Sequence, residues 1–181
     1  MNIAVIGTGM VGRLIAVELS KKYQVCAIDN DANNLSKLAK YNNRIVTKKI
    51  DIRNEPFLDS LDDAEIVINC VPGFMGFETS KKILEKKTCV DISFMPEDCN
   101  ELNTTSEKAK TALYPDAGVA PGLSNIIVGN LITKQKVDEI KIMVGGLPIE
   151  KNPPWNYKAP FSPIDVIEEY TRPARIKKNG T

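Results

Sequence analysis

The chain has 181 residues, 43% hydrophobic and 26% charged, a balance that supports a buried core and argues against disorder. Its 24 basic and 23 acidic residues leave a formal charge of +1, without the basic excess that binding to a phosphate backbone needs, and no apolar run approaches the roughly 20 residues that span a bilayer, so neither nucleic acid nor membrane is an expected partner. With no histidine, and no CxxC pair among Cys26, Cys70, Cys89 and Cys99, Ser-His and Cys-His nucleophiles are excluded, no metal site is expected, and free thiols in the cytoplasm are the reading.

In chain order, apolar runs that read as buried strands lie at 3–6, 25–28, 45–46, 66–71, 89–92 and 112–114. Helical patterns fall between them at 10–21, 32–40, 55–61, 76–85 and 96–110. Unbroken alternation of this kind predicts an α/β fold, a doubly wound parallel-sheet Rossmann domain over residues 1–117. From residue 118 the pattern changes. Pro121-Gly122 leads into a helix carrying Leu123, Ile126, Ile127, Leu131 and Ile132, and residues 137–144 alternate like a half-buried strand. Ser162-Pro163 is an N-cap and first-turn proline for a helix through Tyr170, and residues 174–178 read as a strand before an Asn179-Gly180 turn with no return strand. Residues 118–181 are therefore expected to form an incomplete α+β substrate or dimerisation domain, and the chain reads as a fragment. The uncovered apolar faces predict a homodimer joined through residues after Gly118.

The segment Gly7-Thr8-Gly9-Met10-Val11-Gly12 directly follows a buried strand and opens a helix. In that setting the first glycine makes the tight turn, the second admits a pyrophosphate, and the third lets helix and strand approach closely, while the helix N-terminus offers unpaired N–H groups. Asp29 ends the second strand 22 residues beyond Gly7, where a carboxylate accepts hydrogen bonds from the adenosine ribose and repels a 2′-phosphate. NAD is expected over NADP. Ligands of such sheets sit at the carboxyl ends of the strands, so Asp51-Ile52 should flank the adenine, while Cys70, Val71 and Pro72 approach the ribose and nicotinamide and Asp91 lines the same crevice. Each of these positions also has a plain turn reading, Pro72-Gly73 above all.

The runs Val71-Pro72-Gly73-Phe74-Met75-Gly76, Asp91-Ile92-Ser93-Phe94-Met95-Pro96-Glu97 and Asp116-Ala117-Gly118-Val119-Ala120-Pro121-Gly122-Leu123-Ser124-Asn125 resemble the saccharopine dehydrogenase-like family. Gly145-Gly146-Leu147-Pro148, Pro153-Pro154-Trp155-Asn156-Tyr157-Lys158 and the stretch from Ile167 to Arg175 look most like its L-lysine 6-dehydrogenase branch. The resemblance implies an NAD(P)-dependent oxidoreductase that oxidises a carbon–nitrogen bond of an amino acid, either the lysine side-chain amine or a secondary amine such as saccharopine. It also implies full-length relatives roughly twice as long as this chain.

Taking hydride from an amine carbon requires a neutral amine, and so a nearby group that accepts its proton. Asp116, at the end of the sixth strand, is the first candidate, with Asp91 behind it to orient it or contact the cofactor and Lys158 as a further catalytic candidate. Arg172 offers a planar fork to a substrate carboxylate, with Tyr157 and Lys158 as helpers and Glu168 four residues before it. These residues also have structural readings: Asp116 as a loop cap, Glu168 and Arg172 as a surface helix pair, Trp155 as core. Against the dehydrogenase stand a non-catalytic dinucleotide-binding protein and a subunit completed by a partner chain. An enzyme of hydroxy acids is disfavoured by the missing histidine.

Overall fold

The first of two compact units, residues 1–142, is built on six parallel strands: β1 Asn2–Ile6, β2 Gln24–Asp29, β3 Val46–Lys49, β4 Ile66–Asn69, β5 Thr88–Asp91 and β6 Leu113–Tyr114, ordered β3-β2-β1-β4-β5-β6. This is a computed structural model, and it describes residues 1–54, 56–145, 148–154, 156 and 163–172. The strands read as continuous apolar runs because both faces are covered. Along β1, Ala4 and Ile6 enter a core with Phe57, Leu61, Phe77, Ile83 and Leu84, while Ile3 and Val5 enter another with Ala16, Val25, Leu38 and Ile68. Strand β3 is polar because it is an edge, and Val46 is exposed there.

Four helices connect the strands, α1 Met10–Leu19, α2 Ala32–Tyr41, α3 Gly73–Leu84 and α4 Asn103–Ala109, and α5 Leu123–Ile132 follows the last strand. Asp31 caps α2 by accepting from the Asn33 N–H at 2.8 Å. Four expectations need correction. The helix expected to begin at Gly76 begins at Gly73, because Pro72 serves as N-cap and the glycines that suggest a turn are buried where the helix packs on the sheet. The segment 55–61 is a short 3-10 turn, Phe57–Leu61, and 96–110 divides into a 3-10 turn, Cys99–Leu102, and α4. Both starts are delayed: Pro56 precedes the first, and Asp98 caps the second by accepting from the Asn100 N–H at 3.0 Å. Residues 137–144 form no strand. Alternation alone makes none without a neighbour to pair with, and Ile140, Ile142, Met143 and Val144 are exposed.

The second unit spans residues 143–181 and, among its described residues, contains α6 Pro163–Thr171. The expected strand at 174–178 and the Asn179-Gly180 turn lie outside the described residues. No helix among the described residues is long and apolar enough to cross a membrane.

Candidate functional site

The strand order reverses direction on either side of β1, so the carboxyl ends of β1, β2 and β4 bound a crevice at the switch point. The glycine turn lies there, and its three glycines answer to different constraints. Gly7 adopts φ +86°, and a Cβ on it would lie 2.6 Å from Cys70 O. A Cβ on Gly12 would lie 1.9 Å from Gly7 O and 3.0 Å from Cys70 Cβ, so α1 rests directly on the turn. Gly9 is the opposite: a Cβ there meets nothing within 4 Å. Nothing in the protein's own packing requires glycine at that position, which leaves open space over the N-terminus of α1. The first amide of α1 with a backbone acceptor in the preceding turn is that of Arg13, which donates to Gly9 O at 3.1 Å, and no acidic side chain occupies the first turn. Unpaired donors and the positive end of the helix dipole therefore face the open space, an arrangement suited to a pyrophosphate.

Asp29 stands beside this turn at the end of β2. Its Oδ2 accepts from the Thr8 N–H at 2.6 Å and the Thr8 hydroxyl at 2.9 Å, with Asn34 Nδ2 at 3.4 Å, and its Oδ1 accepts from the Asp31 N–H at 2.8 Å. The carboxylate is thus locked against the glycine turn through the fully buried Thr8, and Oδ1 keeps acceptor capacity for a ribose hydroxyl. The glycine motif marks Thr8 as a cofactor-binding residue; its position as the link between the first and second strands is not legible in it.

At the end of β4, Val71 is buried and Pro72 caps α3, while Cys70 packs its side chain toward Gly12. Burial pushes the Cys70 thiol far up, with Asp91 and Cys89 adding to the effect, so it is a packing group and not a thiolate nucleophile. Ile52 packs against the core around Ala4 and Ile6, and Asp51 lies beyond the end of β3 in a turn closed by the Asn54 N–H donating to Asp51 O at 2.9 Å.

Asp91 is 1% exposed, and its carboxylate is engaged by four donors: the Ser93 N–H at 2.9 Å and hydroxyl at 2.7 Å on Oδ1, Asn69 Nδ2 at 2.7 Å and the Ser80 hydroxyl at 2.9 Å on Oδ2. Burial raises its pKa, and the bonds from Ser93, Ser80 and Asn69 pull it back. In this setting Asp91 ties β4, β5 and α3 together; it does not present a carboxylate to solvent. The sequence reading passed over the partners. Their signal was Asn69, a polar residue inside an apolar strand. Its Oδ1 is buried with no hydrogen-bond partner among the described residues. Gly76 belongs to the same cluster, since a Cβ there would meet Ser93 Oγ at 1.9 Å.

Asp116 is half-buried with a left-handed backbone, φ 52°, and the next amide, Ala117 N–H, donates to Asp91 O at 2.8 Å. Gly122, at φ +127°, folds the following loop so tightly that a Cβ would lie 2.2 Å from Gly118 O and 2.6 Å from Asp116 O. Asp116 is thereby held at the carboxyl edge of β5, on the same side of the sheet as the glycine turn. Glu168 and Arg172 lie in the second unit and pair with each other across one turn of α6, with side chains 25% and 16% exposed. Tyr157, Lys158 and Trp155 lie outside the described residues. The structure therefore sets the glycine turn and Asp29 side by side at the carboxyl ends of β1 and β2, holds Asp116 near the carboxyl end of β5, and, among the described residues, has Glu168 and Arg172 in the other unit.

A family model described as the saccharopine dehydrogenase NADP binding domain matches residues 3–120, and one described as the saccharopine dehydrogenase C-terminal domain matches residues 118–181. Among curated proteins, the mitochondrial alpha-aminoadipic semialdehyde synthases of Rattus norvegicus and Mus musculus are 22% and 24% identical over 99% of this chain. The chain spans about a fifth of their length, 20% in each case. Among solved structures, an apo saccharopine dehydrogenase (L-Glu forming) from Saccharomyces cerevisiae superposes with a TM-score of 0.65 at 22% identity, covering 74% of this chain and 31% of that one. A WlbA dehydrogenase from Bordetella pertussis, solved with NADH and UDP-GlcNAcA, gives a TM-score of 0.55 at 10% identity over 74% of this chain and 40% of its own. These structural likenesses establish the Rossmann-like fold.

Proposed function

The chain belongs to the saccharopine dehydrogenase family, and on that premise we propose that it oxidises a carbon–nitrogen bond of an amino-acid amine, the lysine side-chain amine or a secondary amine such as saccharopine, with NAD in preference to NADP. The observation that carries this reading is the open space over Gly9 at the N-terminus of α1, with Asp29 locked beside it. Bound nicotinamide dinucleotide supplies the hydride acceptor. The unpaired amides of α1 bind its pyrophosphate, and Asp29 accepts from the ribose and keeps negative charge where a 2′-phosphate would sit. Asp116, whose side chain has no hydrogen-bond partner among the described residues, holds the proton that the amine gives up before its carbon can lose hydride.

Calorimetric titration is expected to show tighter binding of NAD than of NADP, with Asp29→Ala reducing the preference by about tenfold, the loss of one such interaction. Equal or tighter binding of NADP by the unaltered chain overturns the assignment to NAD. Formation of reduced cofactor from lysine or saccharopine tests the substrate class, and reduction by neither overturns it.

We also propose that the chain forms a homodimer through residues after Gly118. Helix α5 buries none of its residues and exposes Leu123, Ile126, Ile127, Leu131 and Ile132, a stripe that a second copy can cover about a twofold axis. Sedimentation equilibrium is expected to show a dimer that Ile126→Glu separates. A monomer at micromolar concentration removes this part of the proposal.

A further inference from the structure

The corner of the crevice next to the adenosine ribose holds a charged pair that the glycine and Asp29 pattern does not account for. Asp29 is in register with Lys49 across β2 and β3, and its carbonyl accepts from the Ile50 N–H at 3.0 Å. Asp51 follows at once, roughly one strand step from that bond, about 3 to 7 Å along the chain. Arg53 folds back onto it. Its backbone N–H donates to Asp51 Oδ1 at 3.1 Å, its Nε donates to Oδ1 at 2.8 Å and to Oδ2 at 3.1 Å, and its Nη2 also donates to Oδ2. The side chain of Arg53 is 67% exposed, so the guanidinium is oriented by Asp51 and not by burial. The hydrogen bonds from Arg53 hold the Asp51 carboxyl down to about 2.

We propose that Asp51 is a selectivity residue for the dinucleotide, acting by sequestering Arg53. This rests on the dinucleotide reading of the crevice. An arginine at the end of the third strand can reach the ribose beside Asp29, and its planar fork fits a phosphate as well as a carboxylate. With Asp51 occupying that fork, the guanidinium is already engaged when a 2′-phosphate enters the corner beside Asp29 and Lys49. A ribose with a free 2′-hydroxyl meets acceptors and no repulsion. Cofactor choice is therefore set twice here, by the charge of Asp29 and by withholding the cation that would offset it.

The test is calorimetric titration of the full chain with NAD and with NADP, read as the ratio of the two dissociation constants. Asp51→Asn, which keeps the side-chain shape but weakens its hold on the guanidinium, is expected to shift the ratio toward NADP by about tenfold, the effect of one charge-assisted hydrogen bond gained. Asp51→Asn combined with Arg53→Ala is expected to lose that shift. Arg53→Ala alone is expected to bring no gain for NADP. The proposal is overturned if Asp51→Asn leaves the ratio unchanged, or if the shift survives in the double variant and so comes from the lost carboxylate alone. It is also overturned if Arg53→Ala by itself weakens NADP binding several-fold, since Arg53 would then already serve the phosphate. If the unaltered chain binds NAD and only the Asp51 arm fails, this inference falls and the dinucleotide reading stands. If the unaltered chain binds neither dinucleotide, both fall.

Discussion

Gly12→Ala is expected to lower the melting temperature by roughly 10 °C, whereas Gly9→Ala, three residues away in the same motif, is expected to leave it within about 2 °C and to lose dinucleotide binding instead. The two glycines differ in what surrounds them. At Gly12 the added carbon would lie 1.9 Å from a backbone oxygen that no rotamer change can move, so α1 must retreat from β1 by about 1 Å along its packed face. Overpacking of that kind costs about 3 kcal/mol, which for a chain of this size accounts for the expected shift. At Gly9 the added carbon enters empty space and φ is −59°, so the backbone clash that destabilises Gly12→Ala is missing there. The same methyl group occupies the volume where a pyrophosphate would meet the α1 amides, and NAD affinity should fall by about a hundredfold. Thermal melting with and without NAD, together with calorimetric titration, separates the two effects. Equal destabilisation by both substitutions, or undiminished NAD binding by Gly9→Ala, contradicts this division of labour.

That division was half legible in the sequence. The strand, glycine turn, helix and acidic strand end from Asn2 to Asp29 are encoded locally, by apolar runs and by residues a few positions apart, and they fold as read. What escaped depends on contacts distant in sequence. Nothing in the sequence ties Thr8 to Asp29, or Asp51 to Arg53, until the fold brings each pair together. Residues 137–144 show the converse error, because alternation records a two-sided environment but not the neighbour that a strand needs. Helix α3 was started three residues late because buried glycines weaken a helical pattern in isolation and strengthen it where a sheet lies close. Asp91 is the largest such case. Its type and its place at a strand end suggested chemistry, and only the positions of Asn69, Ser80 and Ser93 show what it does.

Asp91→Ala is accordingly expected to destabilise the chain by about 3 kcal/mol, because it strands the buried Ser93 N–H and removes the strongest acceptor of Asn69 Nδ2. Denaturant unfolding should show a lower midpoint at an unchanged slope. Asp91→Asn should cost less, since its oxygen can still accept from Ser93 while its amide group faces that of Asn69, and the gap between this variant and the unaltered chain should depend on pH. Burial raises the folded-state pKa of Asp91 above the ordinary 3.8. Between those two values the folded chain binds more protons than the unfolded chain, so this group's contribution to stability falls as pH rises through the window. The ionised form carries the burial penalty above that window, and the penalty vanishes below the unfolded value. The stability advantage of the unaltered chain over Asp91→Asn should therefore grow on acidification through that window. The Ala117 N–H bonds to the Asp91 backbone carbonyl, so loosening this cluster should also release the segment that carries Asp116 and slow hydride transfer more than it weakens NAD binding. A pH-independent gap, or a change of less than about 1 kcal/mol in Asp91→Ala, would show that the four bonds to this carboxylate do not hold the strand ends together.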